Sequence, residues 1–430
     1  MSAHPASIHD LGEAQRIPPV TIPAEQATIP GGALKILPTA LFFLGAVCIV
    51  FTVIGAGSVG AAHALASYHV GFLYALSLAL GSLGLVMIFN QFNAGWAATV
   101  RRQLENVAGL MPVVAILGAP VLIAELGWTR GALFGWLKPG ITQTDVLAQT
   151  KQPFLNPWTF VVASIVYFGI WSFLGVSLYR ISRKQDETGD RELTAKARWI
   201  SSFGLLLYAL TTAFAAFHWI MSMQFHWFST MWGVYFFAGN ILSGTCLLVV
   251  TLALVRRAGA LKGMVTAEHF HDLGKLVLAF TVFWAYIAFC QYFLIWYSNI
   301  PEETAWYILR KQHGWENLFY LLCLGHFLAP FLVLLFRGVK RNMLLIGSVA
   351  AWLLVMHAAD LFFMVRPVLT ETVEAYHGST GMRYWWLDLF GILGPVCLFL
   401  GAVAKRAVST PLVPLRDPRL AEALEHKNYV

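Results

Sequence analysis

His357 and Asp360 stand three residues apart in an otherwise apolar run, and an imidazole next to a carboxyl in such surroundings is equipped to pass protons. A helix would set both on one side, with Arg366 about two turns further on. Neighbouring apolar runs add His326 and Asp388, and Glu316 opens the run that carries His326. These residues would serve a proton relay or form one buried structural pair, and Asp360 is the first candidate for the relay. A denser polar group runs through His218, Trp219, Met221, Ser222, Gln224, His226, Trp227, Ser229 and Thr230. Its residue types suit a proton-accessible or quinone-headgroup pocket around His218, Gln224 and His226; interhelical hydrogen bonding is the plainer use. A third group, His269, His271, Asp272 and Lys275, places Asp272 and Lys275 at i,i+3, where they can pair. It suits the mouth of a proton half-channel, or a capped helix start with a snorkelling lysine. Glu125 beside Trp128 is a weaker candidate.

The elements that must position these groups are apolar segments. The spans read as 37–57, 67–91, 107–126, 157–179, 199–223, 230–255, 272–298, 315–337, 343–366 and 384–404. About 20 apolar residues cover the hydrocarbon core of a bilayer, where only internally hydrogen-bonded elements survive. The fold class expected is all-α, a polytopic membrane protein of about ten transmembrane helices, divisible into two four-helix bundles plus flanking helices. Residues 1–34 read as a mostly irregular cytoplasmic arm, 35–404 as the transmembrane domain and 405–430 as a cytoplasmic tail. An ionisable residue inside such a span is costly, so each of those above is a functional candidate.

Composition agrees. Of the 430 residues 58% are hydrophobic and 12% charged, with a mean hydropathy of +0.66. A water-soluble chain of this make-up would expose too much apolar surface. The net charge of +7 is not a nucleic-acid signal. Most basic residues fall in alternate loops, among them Arg101, Arg102, Arg180, Arg183, Arg256, Arg257, Lys340, Arg341, Lys405 and Arg406. The positive-inside rule then places both termini in the cytoplasm. The first 34 residues lack the basic start and apolar core of a secretory signal.

Cys48, Cys246, Cys290, Cys323 and Cys397 all lie in apolar spans without a C-x-x-C pair, which gives no support to zinc, covalent haem or an iron–sulfur cluster. Two facing histidines would suffice for haem b, but no paired spacing stands out. Gly55, Gly57 and Gly60 suit close helix packing, since no strand precedes them as a nucleotide loop requires. The longer connections are 127–156, the charged hairpin 180–198, the mixed segment 299–314 and the loop 370–384. Segment 299–314 suits the membrane surface or a partner, and the proline-bearing tail suits docking on a cytoplasmic neighbour or simple solvation.

Several stretches carry a family likeness: "SYHVGFLYALSLALGSLGLVMI" at 67–88, "FHWFSTMWGVYFFAG" at 225–239, "HDLGKLVLAFTVFWAYIAFCQYFLIWYSNIPEETAWY" at 271–307, "ADLFFMVRP" at 359–367 and "PLVPLRDPRLAEALEH" at 411–426. On these residues the chain resembles the NrfD-like family of polysulfide-reductase membrane subunits. Within it the likeness is greatest to the second such subunit of bacterial alternative complex III. The resemblance implies an inner-membrane quinol:cytochrome c oxidoreductase in which this chain anchors the complex and contributes a proton pathway, with quinone contacts as a further expectation. It implies no cofactor on this chain. Haem c and iron–sulfur clusters would belong to partners: a second NrfD-like subunit, an iron–sulfur subunit, multihaem and monohaem cytochrome c subunits, small membrane-anchored subunits and, beyond them, a terminal oxidase.

The chain departs from the family pattern where His218 replaces an aspartate, Gln224 an acid and Phe225 a proline, whereas Asp272, Asp360 and Asp388 match it. A proton path through the first region then depends on His218 alone. The competing readings are a secondary transporter, which calls for broken helices at matching places in two halves, and a haem b cytochrome.

Overall fold

The computed structural model describes Ile22, residues 27–29, 32–369 and 384–427. Most of the N-terminal arm and nearly all of the 370–384 loop therefore lie outside the described residues. Among those described, ten helices are long and apolar enough to cross a membrane: α1 Leu34–Ser58, α2 Ala61–Gln91, α3 Gly95–Leu126, α4 Pro157–Thr188, α5 Glu192–Gln224, α6 Trp232–Arg257, α7 Ala267–Ser298, α8 Trp315–Leu335, α9 Met343–Val368 and α10 Trp385–Ser409. The chain is an all-α polytopic membrane protein. Local chemistry sets the helix ends. Asn156 caps α4 by accepting from the Thr159 amide, and Gly189 closes it in the left-handed region. Thr266 and His269 form a capping box at the start of α7, and Asn342 caps α9.

Helices α2 to α5 form one four-helix bundle and α6 to α9 a second, while α1 and α10 pack on α2 at the flank. The bundles meet where α2 crosses α6. A β-carbon on Gly81 would collide with the Asn240 carbonyl, and one on Gly244 would fall 2.5 Å from the Gly81 carbonyl carbon. Only glycine permits so close a backbone approach. This seam makes α2 the best-buried span, with 94% of its apolar window covered, against 22% for α1.

Alternate crossings bring the two chain ends to one face, here called the terminal face, and the Leu412 amide donates to the Ala27 carbonyl there. Several helices begin earlier or run longer than hydropathy suggests. The charged residues Arg101, Arg102 and Glu105 are buried inside α3, which starts at Gly95 and not at 107. Their charges are met from distant segments. Arg101 binds Glu105 and Asp417, both at 2.7 Å, and Arg102 binds Asp186 at 2.8 Å. The tail supplying Asp417 docks on this chain, with Leu412, Val413, Leu420 and Ala423 fully buried. Segment 299–314 likewise folds onto its own bundle, through the helix Pro301–Leu309 and the buried Trp306, Leu309 and Arg310.

Candidate functional site

The second bundle gathers polar side chains around α6. Asp360 is fully buried on α9. The Tyr235 hydroxyl of α6 donates to its Oδ1 at 2.5 Å, and the Trp284 indole of α7 donates to its Oδ2 at 3.0 Å. No cationic side chain pairs with Asp360 among the described residues. One turn back, His357 also faces α6, where a β-carbon on Gly239 would fall 2.7 Å from its Cε1. Its Nε2 lies 2.6 Å from the Ser77 hydroxyl, and Ser77 lies 3.1 Å from Ser243 across the seam. The i,i+3 spacing thus places His357 at the inter-bundle seam and Asp360 inside the second bundle.

His326 comes to the same place by a change of helical pitch. Residues Leu322–Leu328 of α8 form a π-helical turn, a feature that re-aims side chains and recurs at functional sites. The His326 ring packs 3.9 Å from the Trp284 ring and 6.5 Å from that of His357. It is fully buried, and neither ring nitrogen has a hydrogen-bond partner among the described residues. Buried polar atoms are normally satisfied, so such an imidazole is unusual.

Beside this group lies a cavity of about 370 Å³ whose wall includes Tyr235, Trp284, Gln291, Trp306, Tyr307 and Phe363. Two of these residues are the ones that hold Asp360. At the rim Tyr286 and Phe289 of α7 are each 62% exposed, so the cavity opens on the outward side of the bundle. The helix Pro301–Leu309 closes its end remote from the terminal face, and Arg310 fastens that helix down. Its guanidinium donates to the carbonyls of Phe363 at 2.9 Å and Met364 at 2.7 Å, and stacks 3.5 Å above the Trp306 ring.

The polar group around His218 takes several partners: Ser229 reaches the cavity through Gln291, while His218, Gln224 and His226 each make a contact of their own. His218 Nδ1 lies 2.9 Å from the Tyr167 hydroxyl, and its ring stacks on Phe154 at 4.2 Å. Gln224 accepts from Arg310 at 3.0 Å. His226 pairs with Asp145 at 2.6 Å on the surface. The Asp145 carboxyl is held below the ordinary range by the Ala148 amide first and by His226 second. Helix α5 ends in a 3-10 turn at Met221–Gln224, which sends consecutive polar residues in different directions.

Asp272 lies near the terminal face, remote from Asp360 along α7. Lys275 reaches it at 2.5 Å and His426 of the tail at 2.6 Å. His269 serves the capping box, so these residues shape a helix start and secure the tail. Asp388 sits at the opposite end, in a cluster the sequence reading did not assemble. Its Oδ1 accepts from Ser67 at 2.7 Å, Arg366 at 2.8 Å and His63 at 2.9 Å. His63 begins α2 and its role was missed; a lone histidine at the start of an apolar run was the available signal. Arg366 therefore belongs with Asp388, not Asp360. Glu125 anchors the following loop by accepting from the amides of Leu133 and Phe134. Gln291 also escaped sequence reading, since an amide within a long aromatic span carries no motif.

No family model matches the chain, and a comparison with curated proteins finds no similar one.

Proposed function

We propose that the chain is a membrane subunit of a quinol:cytochrome c oxidoreductase of the alternative complex III kind, in a bacterial inner membrane with both termini cytoplasmic. Its role would be to anchor the complex and to handle protons, while electrons pass through haem c and iron–sulfur centres on partner subunits. The observation that carries this reading is Asp360, a buried carboxyl held by two neutral donors that themselves wall a membrane-opening aromatic cavity. A cavity of this size and lining suits a ring-shaped lipid-soluble ligand. Oxidising a quinol releases two electrons and two protons. With the ring against Tyr235, one proton has a path through the Tyr235 hydroxyl to Asp360, near which His326 and His357 pack as rings. The basic loops, and the stretches in which the chain resembles NrfD-like subunits, support the orientation and the complex.

The test is affinity purification in mild detergent with mass spectrometry and a reduced-minus-oxidised spectrum. Copurifying multihaem c and iron–sulfur proteins with a c-type spectrum is the expected result; a single chain without them overturns the reading. In the assembled complex, Asp360→Asn should leave subunit composition unchanged and slow coupled turnover. Unchanged turnover and proton release would remove Asp360 from the path.

A further inference from the structure

Gln291 is 5% exposed, lines the cavity and is only half satisfied. Its amide oxygen accepts from the Ser229 hydroxyl at 3.2 Å, but its amide nitrogen has no hydrogen-bond partner among the described residues. Leaving a buried donor unpaired costs the desolvation of that group, so native structures seldom retain one without a use. The rest of the wall is mostly apolar and aromatic; Tyr235 and Trp284 are committed to Asp360, and Tyr286, Tyr292 and Tyr307 bring phenol hydroxyls. The wall therefore offers one uncommitted side-chain amide donor among aromatic surfaces that suit a flat ring.

We infer that Gln291 is a specificity-determining residue of this cavity, donating from its amide nitrogen to an acceptor oxygen on a planar ring ligand. The inference rests on the reading of the cavity as a quinol site and adds which group recognises the ring oxygen. A hydrocarbon of the same shape fills the aromatic walls equally well and leaves the Gln291 amide unpaired. Recognition of the oxygen is thus separable from recognition of the ring. Ser229 orients the amide, because its hydroxyl occupies the oxygen and leaves the nitrogen as the free end.

The test uses the full-length protein in lipid nanodiscs and two probes, 2-methyl-1,4-naphthoquinone and 2-methylnaphthalene, with equilibrium binding measured for each. The wild type should prefer the quinone by about tenfold beyond the difference in membrane partitioning, the value of one hydrogen bond. Gln291→Met keeps side-chain length, removes the donor and should abolish the preference while still binding the hydrocarbon. Gln291→Leu removes the donor by a second route; it should lose the preference too, and it serves should the Met variant fail to fold. Wild-type preference that persists in both variants overturns the role of Gln291 and leaves the cavity reading standing. Saturable binding of neither probe by the wild type overturns the cavity reading, and the inference with it.

Discussion

Two carboxyls, Asp360 and Asp388, are buried in the same membrane domain and answer burial in opposite ways. Asp388 meets a guanidinium, an imidazole and a hydroxyl on one oxygen, so its charge is matched and its geometry fixed by α2, α9 and α10. Asp360 meets a phenol and an indole, neutral donors that constrain its position without supplying a counter-charge. The lesson is that burial alone does not mark a proton-handling group in a membrane. The identity of the partners does: an arginine converts a carboxyl into a structural fixture, while neutral donors leave it able to exchange a proton. By partners, Asp388 and Asp272 are ion-paired, whereas Asp360 is held by neutral donors near His326 and His357.

The widest separation between the two sites should appear in stability. Asp388→Asn leaves Arg366 buried with its main counter-charge gone, and should cost about 3–5 kcal/mol in detergent-solubilised unfolding. Asp360→Asn is nearly isosteric and loses no ion pair, so the same assay should register less than about 1.5 kcal/mol. Equal losses at both sites would dissolve the distinction. Replacing Asp388 and Arg366 together by Leu and Met should recover most of the single-variant loss, since removing a whole buried pair is far less costly than orphaning one member.

A third carboxyl sharpens the contrast at the terminal face. Burial pushes Asp417 up, but the charges of Arg101 and Arg419 outweigh it and hold the carboxyl below its ordinary range. A depressed folded value means that the stabilisation is present above the unfolded carboxylate pKa and is lost as pH falls through the folded one. The Asp417 share of tail docking should therefore weaken on acidification. Hydrogen-exchange protection of residues 410–427, taken relative to the intrinsic rate at each pH, should fall at low pH, and Asp417→Asn should show the loss already at neutral pH. Exchange that is unchanged in Asp417→Asn would remove this ion pair from the tail's anchorage.

Smaller effects are expected nearer the candidate site. Tyr235→Phe removes one neutral donor to Asp360 and should cost about 1 kcal/mol, with coupled turnover falling by more than stability predicts. The smallest effect belongs to His226→Ala, whose side chain is largely exposed; stability should stay within about 0.5 kcal/mol of wild type. A large effect there would restore the dispersed polar group as a site.

Apolar run length made the ten spans readable from sequence, because membrane burial imposes length and hydropathy on each helix separately; the two-bundle grouping was one possible division that run length alone does not demonstrate. The start of α3 was not readable. Arg101, Arg102 and Glu105 look like a loop until Asp186 and Asp417 arrive from segments far along the chain. Asp360 was legible as an expensive residue in an apolar run, but its neutral partners were not. His218, Gln224 and His226 lie close in sequence yet take different partners, and the 3-10 turn between them leaves no compositional trace. His326 was named without the π-helical turn that directs it, and Gln291 was invisible for want of a cavity to set it in.

The order of synthesis gives the docked tail one more consequence. Arg101 enters the membrane domain early, with α3, yet Asp417 leaves the ribosome only after all ten helices. Until then the terminal face holds an arginine whose second counter-charge has not been made. A nascent chain that has made α10 but not Asp417 would have all ten of these helices and still lack this ion pair, so the terminal face tightens only after the last of them is in place.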